Sequence, residues 1–267
     1  MTSTRRVVIA CVFVGLALRL AFALLYWVNQ PLTHDEREYL ALGRSMARGE
    51  GFHYPADEPR PGTAQQFGRA PGYPLFLAAL GVTQPAERAP HRVQIAQACV
   101  GALIVWLIAS IAGRAAGPRA AITAAAIAAV YPPLVWMPAY VLSETVFSAL
   151  ALAAARILQE AASPREPRAG HLATRVSRLA PRPAVLAGSV LIGLAILTRP
   201  ALVFVLPLAA LWLWRKRGLA DALLLLILAA LCGAMDHQEP SRVRTMDCGR
   251  VRRRSHVLDR QSSARHR

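Results

Sequence analysis

Residues 33–43, Thr-His-Asp-Glu-Arg-Glu-Tyr-Leu-Ala-Leu-Gly, come after a long apolar segment and hold side chains that could do chemistry. Thr33, followed three residues later by Glu36, fits a capping box, in which each side chain satisfies a backbone N–H of the other residue. The pair predicts a helix start and leaves Asp35 unneeded for the cap. Asp35 either complements the positive end of the helix dipole or acts as a base that takes a proton from an acceptor.

Two arginines could hold an anionic group beside such a base. Arg69 precedes Pro-Gly-Tyr-Pro, and its guanidinium could bind a phosphate through two hydrogen bonds or anchor the chain at an interface. Arg199, in Leu-Thr-Arg-Pro, is predicted on the same side of the membrane as Asp35 and is a second candidate partner for a phosphate. Histidines and acids in this part of the chain show no metal-ligand spacing, so we expect no metal and no cofactor.

Two further ionisable residues lie within predicted membrane segments. Arg19 is midway along the first apolar segment, and Glu144 is near the start of a later one. Ionisable side chains at such a depth usually face the interior of a bundle and pair with each other. We therefore expect a structural Arg19–Glu144 pair, with a catalytic role as the alternative.

The composition predicts a membrane protein. The chain has 267 residues, of which 55% are hydrophobic and 17% charged, which is too apolar for an ordinary soluble domain. The formal net charge is +16, but the basic residues fall in short clusters between apolar runs and do not alternate with aromatics, which argues against nucleic-acid binding. We expect an all-α, polytopic transmembrane bundle with membrane lipid as its surroundings.

Hydropathy predicts a transmembrane part over residues 1–234. We expect about seven spans, at 7–28, 93–112, 120–137, 139–158, 184–198, 201–214 and 219–234. Every second connection between these segments is rich in arginine or lysine, which predicts a cytoplasmic N-terminus and places the loop 29–91 on the outer face of a cytoplasmic membrane.

The outer loop is predicted to hold two interfacial elements. The first is an amphipathic helix closed by Gly49 and Gly51, with Arg37, Arg44 and Arg48 lying off its apolar face. That face comprises Tyr39, Leu40, Gly43, Met46 and Ala47. The second element, residues 69–81, has only about ten apolar residues and is predicted to be re-entrant or interfacial.

After residue 234 the composition changes abruptly. Residues 235–267 contain nine arginines and four acids, which is typical of a disordered basic tail. Such a cluster is disfavoured where the seventh span is predicted to emerge. Degenerate codons permit a reading shifted by one base, in which residues 234–243 become Pro-Trp-Thr-Ile-Arg-Asn-His-Arg-Val and residues 257–265 become Phe-Trp-Thr-Gly-Asn-His-Pro-Leu-Ala. Our hypothesis is that the tail is translated out of frame.

Four motifs together resemble a known family. They are Asp35-Glu36 with Tyr39, then Arg-Ala-Pro-Gly-Tyr-Pro-Leu-Phe-Leu-Ala-Ala-Leu-Gly, then Tyr-Pro-Pro-Leu-Val-Trp-Met-Pro-Ala-Tyr-Val-Leu-Ser-Glu-Thr-Val-Phe, then Gly-Leu-Ala-Ile-Leu-Thr-Arg-Pro-Ala-Leu. In this order they resemble the GT-C membrane glycosyltransferases, in particular the protein O-mannosyltransferase and aminoarabinose-transferase-like group of family 39.

The resemblance implies transfer of a sugar from a polyprenyl-phosphate carrier to an acceptor outside the cytoplasmic membrane. It makes Asp35 the catalytic base and Glu36 its companion. It assigns substrate binding to Tyr39, Arg69, Tyr73 and Arg199. Members of the family are longer, and the frame-shifted strings are similar to the residues directly after their seventh span, so this chain resembles a truncated enzyme. A membrane transporter and a non-catalytic scaffold are the alternatives.

The coding DNA tests the hypothesis about the tail. We expect the codons of residues 234–243 to read Pro-Trp-Thr-Ile-Arg-Asn in the next frame, because family-like strings occur in two separate parts of the tail. Sequencing the gene across this region is the measurement. Any other reading would end the hypothesis.

Overall fold

The computed structural model describes residues 3–54, 69–162 and 183–236. In these ranges all regular structure is helical and no residue is in a β-strand, which confirms the predicted all-α class. The helices are α1 (Ser3–Ala21) with a π-helical end (Phe22–Tyr26), α2 (His34–Ala47), α3 (Gly72–Ala79), α4 (His91–Val130), α5 (Pro132–Trp136) with a 3₁₀ turn (Met137–Ala139), α6 (Glu144–Ala162), α7 (Pro183–Thr198), a 3₁₀ helix (Pro200–Val205), α8 (Leu206–Arg217) and α9 (Leu219–Asp236).

Three of these helices are long and apolar enough to cross a membrane. They are Ser3–Tyr26, His91–Val130 and Glu144–Ala162. Two shorter apolar helices, Pro183–Thr198 and Leu219–Cys232, accompany them. The apolar helices indicate association with a membrane, whereas the seven-span arrangement and its orientation stay predictions.

The helix α4 is broken at Gly117, which has a φ of 87°. Only glycine adopts this conformation without strain, and the next residue, Pro118, has no N–H to continue the helical hydrogen bonding. The halves on either side pack against each other, since Val105 and Ala109 share a buried cluster with Ala125 and residues 128–129. The break lies in the predicted connection between the second and third apolar segments.

The helices form three groups of contacts. α1 packs along α4, while α6 packs along α7 and shares a buried apolar cluster with α7, α8 and α9. α2 and α3 pack together near the start of α4. Their shared cluster comprises Leu32, Tyr39, Leu40, Tyr73, Leu77, Val82, Val93 and Val141. This cluster supports the candidate site.

The two predicted elements of residues 29–91 are helices. α2 ends at Ala47, and Gly49 follows with a φ of 74°, so the predicted glycine stop is confirmed. The predicted apolar face of α2 is buried or half-buried, but Arg44, predicted off that face, is only 2% exposed as well. α2 is therefore covered on more than one side. α3 has eight residues, about 12 Å of helix, too short to cross a membrane.

The chain divides into two contact units, Met1–Gly233 and Ala234–Arg267. The structure describes only residues 234–236 of the second unit, as the end of α9. The tail was predicted over residues 235–267, and α9 continues through its first two residues to Asp236. The rest of it, residues 237–267, lies outside the described residues, so the hypothesis about the tail stays a prediction.

Gly43 sets how closely α2 approaches α3. A Cβ atom at this position would lie 2.7 Å from the Cβ of Leu77. Although alanine is favoured over glycine in helices by about 1 kcal/mol, we expect Gly43→Ala to destabilise the protein by about 1–3 kcal/mol because the two helices must move apart. Thermal unfolding of the purified protein measures this. Arg37→Ala, on the exposed side of α2, is the control, and a Gly43→Ala protein more stable than wild type would contradict the packing argument.

Candidate functional site

The predicted capping box is present at the start of α2. Glu36 Oε2 accepts hydrogen bonds from the Thr33 backbone N–H at 2.8 Å and from Thr33 Oγ1 at 2.9 Å, and the Glu36 N–H donates back to Thr33 Oγ1. Glu36 Oε1 accepts a further hydrogen bond, from the backbone N–H of Val141 at 2.8 Å. The side chain is buried with both oxygens bonded. The role of Glu36 as a catalytic companion stays a prediction; its hydrogen bonds hold the cap of α2 and the chain at Val141, and Asp35 is the more exposed of the two acids.

Arg69 joins two acids of α2. Its Nε donates to Glu38 Oε2 at 2.6 Å, and its Nη2 forms an ion pair with Asp35 Oδ1. The Asp35 side chain is 50% exposed and that of Glu38 only 8%. The structure thus brings together the two residues that the sequence singled out, Asp35 and Arg69. The third member, Glu38, was missed, although its spacing of three residues from Asp35 places both acids on one helix face.

The environment keeps Arg69 charged. Burial lowers the pKa of its guanidinium, but the hydrogen bonds and charges of Glu38 and Asp35 raise it by more, so the net pKa lies above its ordinary value. The guanidinium also lies 5.1 Å from the centre of the Tyr39 ring, within the range of a cation–π interaction. The third nitrogen, Nη1, takes no part in either ion pair. Arg69 is therefore a fixed positive charge beside an exposed carboxylate.

Tyr39 and Tyr73 lie on the buried side of the cluster formed by Arg69, Asp35 and Glu38. Their rings meet edge to face with centroids 4.9 Å apart, and their hydroxyls donate to Ser143 Oγ at 3.3 Å and to Gln97 Oε1 at 2.9 Å. Tyr39 is 7% exposed and Tyr73 fully buried. Their role in substrate binding stays a prediction. Both side chains lie in the core, where the Tyr39 ring contacts the Arg69 guanidinium.

Two glutamines that the sequence reasoning missed hold the chain after α5. Gln97 Nε2 donates to the carbonyls of Pro138, at 3.1 Å, and Tyr140, at 2.5 Å, while Gln94 Nε2 donates to the carbonyl of Ala139 at 3.0 Å. Both side chains are almost completely buried. The available signal was two side-chain amides three residues apart in an apolar helix, because buried polar groups of this kind need hydrogen-bond partners. They fix the segment whose Val141 N–H binds Glu36.

The predicted Arg19–Glu144 pair is not formed. Glu144, the first residue of α6, makes an ion pair with Arg199 at 2.5 Å, and the guanidinium of Arg19 donates to backbone carbonyls. Arg199 directly follows α7, and a Cβ atom on Gly72 would lie 2.8 Å from Leu197 backbone atoms. Because α6 packs along α7 and its first residue lies beside the end of α7, Arg199 is the nearer partner of Glu144. The contact of Gly72 with Leu197 places the same end of α7 beside the start of α3, three residues after Arg69.

Within residues 3–54, 69–162 and 183–236, no three His, Cys, Asp or Glu side chains come together as metal ligands, and the expectation about metals and cofactors stays a prediction. Comparisons of the chain with models of protein families, with characterised proteins and with solved structures find no match. The part of the chain that the structure describes is an all-helical fold, and its apolar helices indicate association with a membrane. The resemblance to glycosyltransferases stays a prediction.

Tyr73 should make the stability depend on alkaline pH. Its pKa is raised well above 10.0, first by burial and then by the nearby charges, so the folded protein keeps the proton that the unfolded chain loses. Stability is therefore unaffected below about pH 10 and falls as pH rises above it. We expect Tyr73→Phe to flatten this fall while costing roughly 1 kcal/mol at neutral pH for the lost hydrogen bond. Melting temperatures from pH 7 to 11 measure it.

Tyr26→Phe provides the control, because this tyrosine is 69% exposed. It should keep the slope of the wild-type protein. Equal slopes for wild type and Tyr73→Phe would show that the buried hydroxyl is not the source.

Proposed function

We propose that this protein is a glycosyltransferase that moves a sugar from a polyprenyl-phosphate carrier to a hydroxyl acceptor at a membrane surface. The observation that carries the proposal is the ion pair between Arg69 and the half-exposed Asp35. A carboxylate can take a proton from an acceptor, and a guanidinium can hold a phosphate oxygen. The apolar helices of the same chain suit a lipid-linked donor.

The reaction is an exchange of one carbon–oxygen bond for another. Asp35 takes the proton of the acceptor hydroxyl as its oxygen forms a bond to the anomeric carbon of the sugar. The bond between that carbon and the phosphate oxygen breaks, and its electron pair leaves with the polyprenyl phosphate. Phosphate is a good leaving group, so no strong general acid is required, unlike the paired carboxylates of glycoside hydrolysis. Arg69 stabilises the phosphate charge.

Electrostatics restrict how the donor phosphate can bind. Asp35 and Glu38 together outweigh the single charge of Arg69, so a phosphate is favoured only on the side of Arg69 that faces away from them, where Nη1 lies. Arg199, whose side chain is 43% exposed, supplies a second positive charge near the start of α3. Its partner Glu144 is 32% exposed and can exchange the guanidinium for water. The two arginines are the proposed phosphate ligands.

The orientation belongs to the proposal. Arginines before the first apolar segment and in alternate connections favour a cytoplasmic N-terminus, which places α2 and Arg69 on the outer face of the cytoplasmic membrane. There a lipid-linked donor and an extracytoplasmic acceptor can meet. The sugar and the acceptor are left open.

Measuring donor binding separates the role of Arg69 from that of Asp35. The full chain in lipid nanodiscs is titrated with farnesyl phosphate, a short polyprenyl phosphate. We expect Arg69→Ala to weaken binding at least about tenfold, the usual scale of a lost charged hydrogen bond. Asp35→Asn should leave affinity unchanged or improve it, because a repelling carboxylate is removed. Arg48→Ala is the matched control, an exposed arginine of the same region that donates to the Thr83 carbonyl.

Transfer from a polyprenyl-phosphate-linked sugar tests the base. Loss of a general base typically lowers a rate by about 10²–10⁴-fold, so we expect Asp35→Asn to bind donor and to transfer at most about a hundredth as fast. Undiminished transfer would refute Asp35 as the base. A wild-type chain that binds no farnesyl phosphate would contradict the donor class and favour a scaffold.

A further inference from the structure

Arg19 is a fully buried arginine on an apolar helix. Its Nη1 donates to the carbonyls of Gly15 at 2.7 Å and Ala129 at 3.3 Å, and its Nη2 donates to the carbonyl of Ala128 at 3.2 Å. Among the described residues none of its hydrogen bonds goes to a carboxylate. Charge compensation must therefore come from the backbone.

The two α4 carbonyls are those that the sequence leaves without helical donors. In an α-helix each carbonyl accepts the N–H four residues later, so Ala128 would require residue 132 and Ala129 residue 133. Both of these are prolines, Pro132 and Pro133, and neither has an N–H. The preceding carbonyl, of Ile127, is bonded by the Tyr131 N–H at 2.9 Å. Arg19 thus supplies the two donors that the two prolines remove.

The electrostatics agree with this pairing. The last carbonyls of a helix carry a partial negative charge that favours a cation, and Arg19 meets them where water is excluded. The surrounding helices leave room for the guanidinium. A Cβ atom on Gly15 would lie 2.8 Å from Nη1, and one on Gly101 would lie 2.7 Å from Nε and 3.2 Å from Pro138. The arginine fills a space that two glycines provide.

The end of α4 leads directly to the candidate site. After Pro133 the chain passes through α5 and the 3₁₀ turn Met137–Ala139, whose carbonyls bind Gln94 and Gln97. Pro138 and Arg19 lie on the same side of Gly101. The N–H of Val141 then binds Glu36 of α2. A change in the direction of the chain at Pro132 would therefore displace the residues that make these contacts.

We propose that Arg19 is a positioning residue: it caps the α4 carbonyls that Pro132 and Pro133 leave without donors and so sets where residues 137–143 meet α2. The role does not depend on the proposed glycosyltransferase activity, because it concerns the backbone around α2 whatever the site binds. It also replaces the ion pair with Glu144 by a pairing with backbone.

A double-mutant cycle on thermal stability tests the pairing with the prolines. Arg19→Met is measured in the wild-type protein and in a Pro132→Ala, Pro133→Ala protein, in which α4 can continue and supply its own N–H donors. We expect Arg19→Met to lower the melting temperature by about 5 °C or more in the wild type, and by less than half of that in the alanine background. Equal losses in both backgrounds would overturn the proposal.

The matched control is Arg156→Met. Arg156 is another arginine on a long apolar helix, but its donors bind Ser110 and Glu160 and not α4 carbonyls. The loss of melting temperature that Arg156→Met causes should be the same in both backgrounds. If it changes in the same way as that of Arg19→Met, the coupling is unspecific and the proposal fails.

Hydrogen exchange distinguishes positioning from general stability. We expect the amide of Val141 to exchange about tenfold faster or more in Arg19→Met, with little change for amides in α7. Arg19→Lys keeps a charged donor and should restore most of the protection. If Arg19→Met does not fold, the uncharged Arg19→Gln takes its place. Unchanged exchange at Val141 in the folded uncharged variant, or no difference between that variant and Arg19→Lys, would refute the positioning role.

Discussion

The buried carboxylate of Glu36 is the contact on which the rest of the site depends. It closes the cap of α2 through Thr33 and holds Val141 across a sequence separation of 105 residues. A buried carboxylate is stable only when its oxygens are hydrogen-bonded, so the start of α2 and the chain after α5 must both be in place. Asp35 and Arg69 are then presented on the exposed side of this junction, where chemistry is possible.

The residue pattern predicted the parts of this arrangement that are local. The capping box, the stop at Gly49 and the helical class follow from spacing and composition, because they depend on neighbours within a few residues. Asp35 and Arg69 were both singled out and assigned to one face of a membrane, but Arg69 was assigned a phosphate as its partner and the ion pair with Asp35 was not predicted. The seven-span arrangement, the orientation and the sugar donor have no such local test and stay predictions.

The long-range partners could not be read from the sequence. Arg19 and Glu144 were paired with each other because two opposite charges in apolar segments usually attract. The structure gives each a different partner: carbonyls of α4 for Arg19, and Arg199 for Glu144. A backbone acceptor carries no side-chain signature, and only the two prolines hint at it. Glu36 was assigned to catalysis through the resemblance to glycosyltransferases, and its bond to the Val141 N–H is likewise invisible in the sequence.

The break of α4 at Gly117 also bears on how the site assembles. A straight helix of 40 residues would separate its ends by about 60 Å, yet Gln97 near its start bonds Pro138 just beyond its end. The chain therefore reverses direction at Gly117. Closing a long loop costs more conformational entropy than closing a short one. Once α4 has folded back on itself, the free segment of chain that must be closed for Glu36 to bond Val141 is shorter. The left-handed glycine far from the site thus lowers the entropic cost of forming it.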